Sequence, residues 1–108
     1  YLWIDYPSPE KEREIILRRV PGIRATLADR IVSVMQTLRQ VDFYKRPGIA
    51  ETLDWSRALL GLGVDELQAD TLDETSGVIL KYHDDIERLR AIGADKILSG
   101  QSGEGGTA

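Results

Sequence analysis

The sequence contains no cysteine, one histidine and one methionine. Without cysteine there is no disulfide framework, no thiolate zinc site and no cysteine nucleophile. Nor is there any sign of an oxidising compartment. A zinc-type site needs three or four suitable ligands, and His83 is the only imidazole. No apolar run approaches the roughly 20 residues that span a bilayer, and no signal-peptide pattern is visible. The chain holds no G-x-x-x-x-G-K-[ST] phosphate loop and no serine elbow. Gly61, Gly63 and Gly77 follow no strand. There is no internal repeat. Positive charge is in deficit, with 14 Lys and Arg against 18 Asp and Glu and a net charge of −4. General binding to a phosphate backbone is therefore not expected, and nucleic acid is not an expected partner.

What is present is the composition of a soluble globular domain: 42% hydrophobic and 30% charged residues in 108 positions. That length suits one domain, which would bury roughly two-thirds of the surface of its unfolded chain. The chain opens on Tyr1 rather than Met, and a piece of something longer is expected.

The pattern along the chain is helical. Tyr1–Tyr6 alone is short, aromatic and β-prone, and Pro7 cuts it off. A strand of that length has no stability without partners, and no second convincing strand follows. Ser8-Pro9-Glu10 then supplies an N-cap, a proline for the first helical position and an acid for the first turn. Ile15, Ile16 and Val20 form the apolar side of this helix, Arg18 and Arg19 suit its last turn, and Pro21-Gly22 ends it. Glu10, Glu12 and Glu14 alternate with Lys11 and Arg13 and read as polar decoration. A second helix is expected over 24–39, from the recurrence of Leu27, Ile31, Val34, Met35 and Leu38. Residues 41–46 read as a loop closed by Pro47-Gly48. A third helix is expected over 49–60, with Trp55 in its core stripe and Gly61 and Gly63 as its stop. Thr71-Leu72-Asp73-Glu74 has the pattern of a capping box, and a fourth helix is expected from there to Ala91. Its stripe is Thr75, Ile79, Tyr82, Ile86 and Leu89. Residues 93–108 read as a flexible tail, rich in Gly and poor in apolar side chains beyond Ile97 and Leu98.

Candidate chemistry is sparse. His83, Asp84 and Asp85 form a polar group in which His83 and Glu87 share a helix face, as do Asp84 and Arg88. A small metal-dependent or hydrolytic enzyme would be built there, but a solvated polar face accounts for the same residues. No catalytic set and no metal site is assigned. Lys45 and Arg46 stand immediately before a helix N-terminus, whose free N–H groups and partial positive charge suit a phosphate. They are the candidate nucleotide contacts, with Arg46 ranked first because its planar fork matches phosphate oxygens. Plain solvation is the competing account.

Three runs carry a resemblance to a known family. Ile4-Asp5-Tyr6-Pro7 followed by Ser-Pro-Glu-Lys-Glu-Arg-Glu-Ile-Ile over 8–16 resembles the junction between the αβ core and the helical lid of a MoxR-family AAA+ ATPase. The runs from Arg46 to Leu59, and Thr71 to Thr75 with Leu80 to Glu87, are similar to stretches of the subgroup associated with carbon monoxide dehydrogenase maturation. The resemblance covers about residues 1–92. It implies an all-α, small four-helix lid-type bundle preceded by one orphan β-strand. Residues 1–6 would be the last strand of an absent αβ core, residues 7–92 the lid, and residues 93–108 the tail. It further implies a cytoplasmic, homo-oligomeric ring in which ATP and Mg2+ are bound by the core and the lid closes over the nucleotide. The partners it implies are that core, the neighbouring subunits and a client protein complex, towards which the ring acts as a chaperone or inserts a metal cofactor. The fragment alone would be inactive. The place of the usual sensor 2 arginine is taken here by Ala50 or Glu51, with Lys45, Arg46 and Arg57 the nearest cations. The alternative function is a free-standing helical protein–protein interaction module.

Overall fold

The computed structural model describes residues 6–100. Among them are six helices and no strand: α1 (Pro9–Arg19), α2 (Ala25–Leu38), α3 (Ile49–Gly61), α4 (Ala69–Ile79), α5 (His83–Ile92) and α6 (Ala94–Leu98). The expected strand over 1–6 lies outside the described residues except for Tyr6. None of the described helices is long and apolar enough to cross a membrane.

The first half of the chain folds as its local signals dictate. Ser8 caps α1 by accepting the Lys11 amide at 3.2 Å, and Pro9 stands at the first helical position. Gly22, at φ +93°, reverses the chain in a conformation that a side chain would resist. α3 ends in a Schellman arrangement: the Val64 amide reaches the Leu59 carbonyl, and the Gly63 amide reaches that of Leu60. α1 packs on α2 and α3, and α3 packs on α4. Ile16, Ile31, Met35, Leu38, Trp55 and Leu59 are fully buried between them. Trp55 is core, as its stripe predicts. Its indole N–H donates to Thr75 Oγ1 at 2.7 Å, so the ring's polar edge is satisfied inside the bundle.

The second half differs from expectation in three respects. The expected fourth helix is two helices, broken at 80–82. Leu80 takes an extended conformation (φ −109°, ψ 130°), and both Ile79 and Leu80 are buried at 1% exposure. The break lets both side chains face the core, where a continuous helix would rotate one of them about 100° away. The Tyr82 side chain leaves the stripe and is exposed. Second, α4 begins at Ala69 rather than at the Thr71 box, because Leu67 is buried just before it and the Gln68 carbonyl accepts the Leu72 amide. Third, the segment after Gly93, expected to be loose, is helical over Ala94–Leu98 and buries Ile97 completely. Gly93, at φ +103°, turns the chain so that α6 folds back onto α2, α4 and α5. Ile97 closes the end of the core, and the half-buried Ala94 and Leu98 pack against it from the same one-and-a-half-turn helix.

Candidate functional site

The segment from Arg39 to Gly48 is irregular yet tightly held, and three side chains from other elements or its own end hold it. The first is Arg39, the C-cap of α2. Its guanidinium forms a two-pronged ion pair with Glu12 of α1, Nη1 to Oε1 and Nη2 to Oε2, both at 2.8 Å. Its Nε donates to the Pro47 carbonyl at 2.9 Å, and Nη2 also lies 3.2 Å from Thr52 Oγ1. Thr52 Oγ1 is 2.7 Å from Glu12 Oε2 and donates to it. Glu12 is completely buried, and the Arg39 side chain is only 5% exposed. The guanidinium lies over the Tyr6 ring, 4.4 Å from its centroid, a cation–π geometry. Glu12 is thus no surface decoration. It is the acceptor that allows an arginine to sit inside the bundle, since a buried charge demands a partner and satisfied hydrogen bonds. Its position was readable in one respect. Glu12, Ile16 and Val20 are four residues apart, and so are Ile31, Met35 and Arg39, so both charges extend an apolar stripe by one turn.

The second is Asp85, near the start of α5 and only 2% exposed. Its carboxylate accepts the backbone amides of Tyr44 at 2.8 Å and Lys45 at 3.1 Å. The polar group expected around His83 is therefore dispersed. Asp85 points inward to the loop, while His83 Nε2 lies 3.8 Å from Glu87 on the outside. Among the described residues, no group of three or more His, Asp or Glu is placed to hold a metal ion.

The third is Glu51, the N3 residue of α3, whose Oε1 accepts the Gly48 amide at 2.9 Å. Gly48 has no side chain to return the bond, so this is half of a capping box. The Glu51 carboxylate consequently lies at the helix end where a phosphate would approach.

Lys45 and Arg46 both stand exposed on this loop. Arg46 Nε donates to the Val41 carbonyl at 3.1 Å, and its Nη2 lies 4.0 Å from Asp42. The two cations precede α3 in the chain, and the Arg46 side chain is turned back onto its own loop, towards Val41 and Asp42. Arg57 is six residues further along α3 and pairs with Asp54 at 3.8 Å. Beside the loop, Tyr44 and Tyr82 meet edge to face with ring centroids 6.4 Å apart and line an open groove of about 480 Å³ with His83 and Asp84. The chain matches no family model, no curated protein and no solved structure.

Proposed function

We propose that the chain is the helical lid of a MoxR-type AAA+ ATPase, of the subgroup associated with carbon monoxide dehydrogenase maturation. The observation that carries this reading is the meeting of all three resembling runs around the loop at 41–48. The run over 8–16 supplies Glu12, the run over 46–59 supplies the Pro47 carbonyl and Thr52, and the run containing 80–87 supplies Asp85. Segments far apart in sequence thus build one rigid element, next to the two cations that would face nucleotide.

In this reading the lid closes over ATP and Mg2+ bound by a separate αβ core, in a cytoplasmic homo-oligomeric ring. It couples hydrolysis to the assembly of client proteins or to metal-cofactor insertion into them. Arg46 turns from Val41 and Asp42 to a phosphate oxygen, with Lys45 beside it. Its exposed, long ion pair with Asp42 costs no more than about 1 kcal/mol to give up, and the hydrogen bond to the Val41 carbonyl must be given up as well. A charge-assisted hydrogen bond to phosphate contributes about 1.5–3 kcal/mol in return.

The test begins with the coding sequence upstream of Tyr1, followed by assay of the protein it encodes. The expected result is a phosphate-binding loop upstream and Mg2+-dependent ATP turnover that the 108-residue chain lacks. An upstream region without a nucleotide-binding core would favour the free-standing interaction module. ATP turnover by the purified chain alone would remove the lid reading.

A further inference from the structure

The bend between α5 and α6 is made by one residue. Gly93 holds φ +103° and ψ 127°, a conformation that favours glycine. A Cβ added there would meet no atom within 4 Å, so the backbone and not crowding calls for glycine. The bend interrupts the helical ladder. The last bond of α5 runs from the Gly93 amide to the Leu89 carbonyl at 2.9 Å. Those of α6 begin at the Gly93 carbonyl, which accepts the amides of Lys96 at 3.1 Å and Ile97 at 3.2 Å. No side chain caps the start of α6.

The sequence on either side of the bend suits a continuous helix. Ala91, Ala94, Lys96 and Leu98 are strong helix formers. Ile86, Leu89, Gly93 and Ile97 follow one another at steps of three, four and four residues, the spacing of a single helical stripe. Straightened at Gly93, the ladder gains the two rungs that the bend omits, from Ala94 to Arg90 and from Asp95 to Ala91. Two effects oppose this within one chain. Glycine is a poor residue for a helix interior. Ile97, fully buried in the bent form with Ala94 and Leu98 packed beside it, would also leave the core. The site it would vacate, among α2, α4 and α5, is shaped to Ile97, and a second copy of the chain carries that same side chain on the same helix. A short hinge under backbone constraint is the setting in which an element changes places with its counterpart in another copy.

We propose that two copies of this chain exchange α6 to form a symmetric dimer. In each copy α5 and α6 straighten at Gly93 into one helix over 83–98, and Ile97 of each fills the site vacated in the other. The core contacts of α6 are kept, now between chains, and the two missing rungs are added in both. The bent monomer prevails in dilute solution, because association costs translational and rotational freedom. The proposal does not depend on the lid reading.

The test is the oligomeric state of two preparations, measured by light scattering on a sizing column. One is the Gly93→Ala chain, and the other is the unaltered chain refolded from urea at millimolar concentration. Alanine disfavours the bend and favours the helix by about fivefold in each chain, so dimerisation should tighten about twentyfold or more. The dimer fraction is then made from equal parts of carbon-13-labelled and unlabelled chain, and isotope-filtered NMR reads the contacts between chains. In both preparations the Ile97 methyl groups of one chain are expected to contact methyl groups of α2 and α4 of the other. A dimer whose Ile97 contacts lie within one chain would overturn the proposal in favour of a surface interface. Monomers alone in both preparations would also overturn it, and leave α6 a fixed cap on the core.

Discussion

Replacing Glu12 with alanine tests the central claim about how this domain is held together. The change removes both prongs of the ion pair and the acceptor for the Thr52 hydroxyl. Arg39 is left in the interior with the Pro47 carbonyl, Thr52 and the Tyr6 ring as partners. Breaking a buried pair from one side costs about 3–5 kcal/mol, chiefly because the remaining charge is uncompensated. The whole stability of a domain is about 5–15 kcal/mol, so Glu12→Ala should lose about a fifth of it or more. At roughly 4 °C per kcal/mol for a chain of this size, the melting midpoint should fall by about 12–20 °C. Urea unfolding followed by far-ultraviolet circular dichroism measures the loss directly. The companion variant is the double replacement Glu12→Leu with Arg39→Met, which removes both charges and fills their space with apolar side chains. It should recover most of the lost stability, because a well-packed apolar pair is often as stable as the ions it replaces. A loss below about 1 kcal/mol for Glu12→Ala is the value of a surface pair, and would refute the interior role given to it.

Three further outcomes are expected. Asp85→Ala strands the amides of Tyr44 and Lys45; it should cost about 2–4 kcal/mol and speed hydrogen exchange at those two positions above all others. Ile97→Ala opens a hole at the end of a fully buried site and should cost about 2–5 kcal/mol by thermal unfolding, whereas a loose tail would lose nothing. Arg46→Ala removes the hydrogen bond to the Val41 carbonyl and should cost the chain no more than about 1.5 kcal/mol. Under the proposed lid reading, the same change in the full ATPase should weaken ATP binding or turnover roughly ten- to a hundredfold, and unchanged ATP kinetics would return Arg46 to the solvent.

The elements that local chemistry specifies were legible in the sequence. Ser8-Pro9, Pro21-Gly22 and the 48–49 boundary each carry a turn or cap whose energy is decided within a few residues, and the structure places α1, α2 and α3 within about two residues of the expected limits. The break at 80–82 has no such mark. Neither Gly nor Pro stands there, and the helix yields because Ile79 and Leu80 both find room in the core. That room is made by α3 and α6, which no local window contains. Ile97 is the same case in reverse, a single apolar residue whose destination lies on three other helices. Of the candidate site, Lys45 and Arg46 were legible as a loop before a helix. The clamp that shapes their loop was not. Glu12 looked like one acid among five alternating charges, and its partner lies 27 residues further along.

The position of Tyr6 has a mechanical consequence. Its ring rests on a guanidinium that is itself gripped by α1, by the Pro47 carbonyl and by α3. Tyr6 is therefore tied to the bundle by this contact on the near side of Pro7. Whatever is joined ahead of Tyr6 pushes or pulls on Arg39, and through Pro47 on the strap that carries Lys45 and Arg46. That link is one cation–π contact, worth about 0.5–2 kcal/mol, so its strength is that of a single stacked ring.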